Sequence, residues 1–371
     1  MKRSLIENMD WRGDKSFSSL PFNEVDALIF SVLIYQRFED APQCIEGKSM
    51  RELYPILCPV PPELTKGFDT ARFRLWEKVS SSERFSSFRL DIFSSSLSKE
   101  ERSEEQFAAA VFSSGGGMGY VIFRGTDESV TGWQEDLNLA YEDEIPSERK
   151  ALEFITEYGR NYSSLVLAGH SKGGTNALYS ALKAESSIFQ RIEKIYSFDA
   201  PGLAPSLTLS PRWEEVTAKT ESYVPSTSIV GMLFNKMERE RVVRADGIGI
   251  MQHDPLTWWT EKESFVYEKD LSIVSRLHSE SMEAFLSSTT KEEREILVSV
   301  ISRVLASVKE DNIFRIPFVI FERFDLFNNE LLSLTDEEKR IVKKLFRAYM
   351  ASSRKSYKKL RDNNSGRKED K

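Results

Sequence analysis

The chain has 371 residues, 40% hydrophobic and 11% aromatic, enough to bury a large core in one big domain or in a domain with an appendage. No run approaches the roughly 18 apolar residues of a membrane span. The start lacks a secretory-signal pattern. Two cysteines, with no CxxC or Cys/His cluster, argue against a disulfide framework and against zinc. The reading is therefore a cytoplasmic protein without metal or cofactor. The net charge of −7 conceals an asymmetry: residues 339–371 carry thirteen Lys/Arg against three acidic residues, a net of +10, which leaves −17 for the rest.

In chain order, Asn23 reads as the N-cap of a helix over about residues 24–37, with Val25, Leu28, Ile29, Val32 and Leu33 facing inward. Residues 41–66 read as a proline-rich loop and 70–79 as a helix. Strand-like runs follow at 88–93, 106–112 and 120–123, the last two joined by a glycine-rich hairpin at 113–118. Next come Arg124-Gly125-Thr126-Asp127, a helix over 146–158, an apolar run at 165–167, a helix over 175–184 and a strand over 193–198. Residues 222–224 and 241–244 read as further strands.

From residue 270 the pattern turns helical. Thr290 with Glu293, and Thr335 with Glu338, form capping boxes ahead of two such helices. A hairpin followed by strands that alternate with helices implies an α/β protein with a mostly parallel sheet and an antiparallel edge. The divisions expected are a domain over 1–265, with 203–240 as a lid or cap insertion, a helical region over 266–362, and a disordered basic tail over 363–371.

Gly169-His170-Ser171-Lys172-Gly173 carries the chemistry. Gly-x-Ser-x-Gly after an apolar strand and before a small-residue helix is how a nucleophilic serine is set on a sharp turn. A serine hydroxyl needs a base within hydrogen-bond reach, and that base needs a carboxylate to orient it. The chain has three histidines. His170 adjoins the serine and is expected to point away from it, and His278 falls in a helical pattern. His253 lies late, in a Gly- and Pro-punctuated loop, where the order Ser…acid…His requires the base.

For the acid, Asp199 at the end of the 193–198 strand is preferred and Asp246 is kept as the alternative. Asp254, next to His253, is a poor orienter. Backbone N–H groups of Lys172 and Thr126 are the expected oxyanion donors. Arg124 is expected to brace the Thr126 loop through an unnamed carboxylate.

Phe123-Arg-Gly-Thr126, Trp133-Gln-Glu-Asp136 and Gly169 to Gly174 resemble the class 3 lipases. Asp10-Trp-Arg-Gly-Asp14, Pro21-Phe-Asn-Glu-Val-Asp26, Phe123-Arg-Gly-Thr-Asp127, Gly169 to Gly174 and Gln252-His-Asp-Pro255 resemble a bacterial family of uncharacterised lipase-like α/β-hydrolases over roughly residues 8–260. The resemblance implies an α/β-hydrolase fold. It also implies a serine esterase, lipase or thioesterase activity, with Thr126 as an oxyanion donor, Ser171 as nucleophile and a late histidine as base.

Class 3 lipases carry the acid in an Asp-Pro-Val-like segment. Its nearest match here, at residues 224–230, has no carboxylate, which moves weight to Asp199. Lys172 stands where lipases have an apolar residue and suggests a polar or anionic substrate. An acyltransferase using the same residues and a non-catalytic scaffold are the alternatives. The expected partner is a small-molecule acyl ester or lipid-like substrate, with no specific nucleic-acid binding. An apolar stripe of Ile341, Val342, Leu345, Phe346, Tyr349 and Met350 beside many lysines fits a helix on an anionic membrane. The plainer reading, preferred here, is a terminal helix packed by that stripe.

Overall fold

The computed structural model of the protein describes residues 3–60, 68–98, 105–127, 130–234, 240–308 and 332–369. Four helices come first: α1 (Leu5–Arg12), α2 (Glu24–Leu33), α3 (Met50–Leu57) and α4 (Phe68–Ser81). Strands β1 (Arg89–Ser98), β2 (Glu105–Ser113) and β3 (Met118–Phe123) precede α5 (Val130–Asn138) and α6 (Pro146–Tyr158). Then follow β4 (Ser164–His170), α7 (Lys172–Lys183), α8 (Ser186–Phe189), β5 (Ile192–Phe198), α9 (Pro205–Thr208), α10 (Trp213–Lys219), β6 (Thr220–Pro225) and β7 (Glu240–Val243). A small hairpin, β8 (Thr260–Glu261) and β9 (Ser264–Phe265), leads to α11 (Ile273–Ser287), α12 (Lys291–Val308) and α13 (Asp336–Glu369).

The seven strands β1 to β7 form one sheet in sequence order. β1, β2 and β3 pair antiparallel, and β3 through β7 pair parallel. Alternating side chains divide between two cores. Phe107, Val111, Val121, Leu165, Leu167 and Ile195 face α6 and α7. Phe112, Tyr120, Ile122, Val166 and Phe198 face the N-terminal helices. Burial on both faces explains why β4 reads as a continuous apolar run. No helix among the described residues is long and apolar enough to cross a membrane.

Two expectations for the N-terminal region change. Residues 41–60 are not all loop: Ser49 and Glu52 form a capping box that starts α3 despite Pro55 inside it. α2 stops at Leu33 rather than 37, and residues Val25 to Leu33 are buried all round, so it is a core helix and not an amphipathic one. The 203–240 segment contributes α9, α10 and the sheet strand β6, and its residues 235–239 lie outside the described ones.

α13 runs through 363–369, where composition suggests disorder, and residues 370–371 lie outside the description. Of its apolar stripe, Ile341 and Leu345 are buried against Phe285 of α11, whereas Phe346 and Met350 are exposed.

The N-terminal layer is fixed by a buried ionic cluster. Asp26 of α2 takes Arg12 Nη1 on Oδ1 at 2.7 Å, Arg84 Nε on Oδ1 at 2.9 Å and Arg84 Nη2 on Oδ2 at 2.5 Å. All three side chains are fully buried. The remaining guanidinium protons go to Asn8 and Asn23 side chains and to the carbonyls of Lys15, Leu20 and Glu263. Arg12, Asn23 and Asp26 belong to the two N-terminal motifs noted in the sequence, and Arg84 joins them from beyond α4. Asp26→Asn leaves two buried cations without their counter-charge and is expected to destabilise the fold by about 3–5 kcal/mol. The urea-denaturation midpoint measures this, and an unchanged midpoint would show that the carbonyls alone satisfy the guanidiniums.

Candidate active site

The turn from β4 into α7 has no room for side chains. A Cβ on Gly169 would lie 2.2 Å from the Gly173 carbonyl, and one on Gly173 would lie 2.2 Å from the Phe123 carbonyl oxygen. Helix and strand can touch here only as glycine. Ser171, between them, adopts φ 56° and ψ −136°, a strained backbone for a residue with a Cβ. It is held there by Ser171 N–H donating to Phe198 O at 2.9 Å and by Gly174 N–H donating to Ser171 O at 2.8 Å.

Register then brings the other groups to the serine. Phe123 of β3 pairs with Gly169, so Arg124-Gly125-Thr126 emerges beside the turn. Phe198 of β5 pairs with His170, so Asp199 emerges on the other side. Both lie at the carboxyl ends of parallel strands, where open α/β sheets carry their sites.

His253 ends a short 3-10 turn, Gly249–His253. Gln252 anchors that loop by donating to Ala245 O at 2.9 Å and Gly247 O at 3.0 Å and accepting from Thr227 N–H at 2.8 Å. Asp254 instead caps the next turn by accepting from Leu256 N–H at 3.0 Å. His253 Nε2 lies 3.0 Å from Ser171 Oγ, and His253 Nδ1 lies 2.6 Å from Asp199 Oδ2. A carboxylate only accepts, so Nδ1 carries the proton and Nε2 accepts from the serine hydroxyl. The structure therefore brings Ser171, His253 and Asp199 into one chain of hydrogen bonds. Asp246 lines the cavity that opens on Ser171 and His253.

Asp199 is fully buried, with a positive φ of 44°. Its Oδ1 accepts from Ser228 Oγ at 2.5 Å and from Gly231 N–H at 3.1 Å. Ser228 belongs to the very segment, 224–230, in which class 3 lipases carry their acid. Here that segment supplies a hydroxyl to the carboxylate.

On the opposite flank, a Cβ on Gly125 would lie 2.2 Å from Tyr35 Oη, 2.4 Å from His170 O and 3.1 Å from Ser171 Cβ, so the Thr126 loop presses directly on the turn. Thr126 Oγ1 donates to Asp136 Oδ2 at 2.5 Å. Arg124 grips both carboxylate oxygens of Glu39 at 3.0 Å each, which names the brace that the sequence leaves open.

Lys172 corrects the sequence reading. Its side chain is fully buried, and Nζ sits 2.5 Å from Glu135 Oε2 and 3.7 Å from Asp136 Oδ1. Burial disfavours the ammonium, but Glu135 and Asp136 outweigh burial and hold its pKa above the ordinary value. The charge points into the protein beneath the Thr126 loop and offers nothing to a substrate. Only the backbone of Lys172 remains at the serine. Glu135 also accepts from the N–H groups of Gln106 and Ser147, at 3.0 and 2.8 Å, and so ties α5 to β2 and α6.

His170 does not merely point away. Its Nε2 donates to the His253 carbonyl at 2.7 Å, and its Nδ1 accepts from Tyr35 Oη at 3.0 Å. It thus braces the loop that carries His253. Tyr35 carries no motif, and its only sequence signal is its place just past the end of α2. His278 lies on α11, as the helical pattern suggests, with Nε2 buried and without a hydrogen bond among the described residues.

Burial, together with His253 alongside, lowers the His170 pKa well below 6.5. Below pH 6.5 the unfolded chain gains a proton at this residue that the folded chain refuses, so stability is lost as pH falls. His170→Gln is expected to make the melting temperature less sensitive to acid below pH 6.5, while lowering it at neutral pH. Parallel melting curves for both proteins across that range would contradict the assignment.

A cavity of about 1810 Å³ opens on Ser171 and His253. Among the described residues no cluster of His, Cys, Asp and Glu could hold a metal ion. No curated protein sequence matches the chain. Among solved structures, the crystal structure titled M37 lipase is similar at 13% identity and a TM-score of 0.37, over 58% of this chain and 70% of that one. The Mbeg1-like family model matches residues 79–302, a span that includes the serine turn, Asp199 and His253, and the chain therefore belongs to the Mbeg1-like family.

Proposed function

We propose that the protein is a serine hydrolase of the α/β-hydrolase fold that cleaves carboxylic esters through Ser171, His253 and Asp199. The observation that carries this reading is the continuous hydrogen bonding from Ser171 Oγ to His253 Nε2 and from His253 Nδ1 to Asp199, set on a strained strand-to-helix turn. Membership of a lipase-like family supports the ester class.

In the first step the Ser171 hydroxyl passes its proton to His253 Nε2 as Oγ bonds to the carbonyl carbon. The carbonyl π electrons move to oxygen, and the backbone N–H groups of Thr126 and Lys172 hold that oxyanion. Collapse of the tetrahedral species breaks the ester C–O bond, and the departing alkoxide takes the proton from Nε2. Water then repeats the sequence on the acyl-serine, releasing the acid and restoring the hydroxyl. Asp199 remains ionised throughout. It fixes the imidazole tautomer and stabilises the imidazolium, while Ser228 and Gly231 fix Asp199.

A fluorophosphonate probe is expected to label the wild type and not Ser171→Ala. Equal labelling of the two would remove the hydrolase reading. Asp199→Asn keeps the geometry but permits the wrong tautomer, and it is expected to lower turnover of a short-chain p-nitrophenyl ester by roughly 10⁴-fold.

A further inference from the structure

The cavity over Ser171, about 1810 Å³, exceeds the roughly 300–1,000 Å³ of ordinary small-molecule sites. Part of its wall is N-terminal, from residues such as Val32, Leu57 and Phe73. The opposite part comes from α11 and α12. Every residue those two helices contribute to the lining is apolar: Met282, Phe285 and Leu286 on one, Leu297, Val298 and Ile301 on the other. Each set falls at the spacing of a single helix face. Charged lining residues, such as Asp40, Arg72 and Asp246, come from other segments.

The helix pair is tied to both flanks of the serine. On the acid side, Ser272 N–H donates to Ser226 O at 2.7 Å, and the Ser275 hydroxyl donates to the carbonyl of Ser228, whose own hydroxyl bonds Asp199. On the oxyanion side, Arg294 Nε donates to Ala140 O at 2.6 Å, and Gln134 Nε2 donates to Ser302 O at 3.3 Å. Gln134 adjoins Glu135 and Asp136. Ile341 and Leu345 of α13 back the pair from outside by packing on Phe285. The pair is therefore an arch over the nucleophile, with a fixed apolar underside.

We propose that this arch is the wall of an acyl-chain channel, and that Val298 and Ile301 of α12 set the length of chain it accepts. The identity of the occupant rests on the hydrolase reading: with the scissile carbonyl at Ser171 Oγ, the acyl arm must run into the cavity. A polar group against α11 and α12 would lose water and gain no hydrogen bond, whereas a hydrocarbon chain gains from burial at each methylene. Val298 and Ile301 sit one helical turn apart and face the same space. A larger side chain at either position shortens the channel, and a smaller one lengthens it.

The test uses the full chain carrying Ser171→Ala, so that binding is read without turnover. Butyrate, octanoate, dodecanoate and palmitate, each below its micelle concentration, displace a fluorescent fatty acid. Affinity is expected to rise with length, by up to roughly fourfold per buried methylene. Adding Val298→Trp is expected to stop the rise early and weaken palmitate by roughly tenfold, the burial of two or so methylenes. Adding Ile301→Ala shifts the profile the opposite way, toward longer chains, and covers the case in which the tryptophan variant does not fold.

Profiles that coincide in all three proteins, or a parent profile independent of length, overturn the proposal. Fluorophosphonate labelling of the wild type keeps the two readings apart. A length-dependent profile with no labelling at Ser171 defeats the hydrolase and leaves the channel. Labelling with a flat profile does the reverse.

Discussion

The arrangement around the serine depends on the absence of two methyl groups. Because Gly169 has no Cβ, β4 and α7 approach to backbone contact; because Gly173 has none, α7 also meets the end of β3, and the chain between β4 and α7 has to bend through a conformation that serine alone would not choose. The bend is over-determined by hydrogen bonds on both sides of Ser171. Everything else at the site is placed by strand register against β4. β3 delivers the Thr126 loop to one flank, its last residue Phe123 pairing with Gly169, and β5 delivers Asp199 to the other, its last residue Phe198 pairing with His170. A slip of either strand would displace a whole flank, and burial of the sheet on two faces forbids that slip.

Charge is managed by a second rule. Each buried ion near the site has a partner chosen from another element, so that an ion pair also acts as a cross-brace. Lys172 joins the start of α7 to α5 through Glu135, and Arg124 joins the end of β3 to Glu39. Pairs of this kind contribute little net stability over well-packed apolar groups, but they are costly to break singly. Their value lies in geometry: they hold the Thr126 loop, α5 behind it and α7 in one relative position.

Much of this was legible in the residues. The sheet strands, the hairpin, the serine turn and both C-terminal capping boxes follow from local patterns, and local patterns are what a sequence displays directly. The closeness of His253 to Ser171 came from scarcity, since only three histidines were available. Asp199 came from its place at a strand end. The remainder depends on distant contacts or on competing local signals. Tyr35 matters only because the fold sets it against His170. The direction of Lys172 depends on Glu135, thirty-seven residues earlier. The α3 capping box is present in the sequence at Ser49 and Glu52, but nearby prolines compete with it, and α1, opened by a like box of Ser4 and Glu7, is only eight residues long and shows little periodicity.

The cluster around Asp26 also imposes an order on how the chain is completed. Arg12 and Asn23 lie near its beginning, yet each donates a proton to the carbonyl of Glu263. Arg3 likewise exchanges backbone hydrogen bonds with Thr260. During synthesis at about 5–20 residues per second, roughly ten to fifty seconds separate the emergence of Asp26 from that of Glu263. Throughout that interval the first two helices have their mutual partners but not the acceptor that closes them. Residue 263 lies in the turn of the small hairpin, ten residues after His253. Final closure of the N-terminal layer and arrival of the imidazole at Ser171 therefore become nearly the same event, and a ribosome-bound chain that stops short of it carries neither.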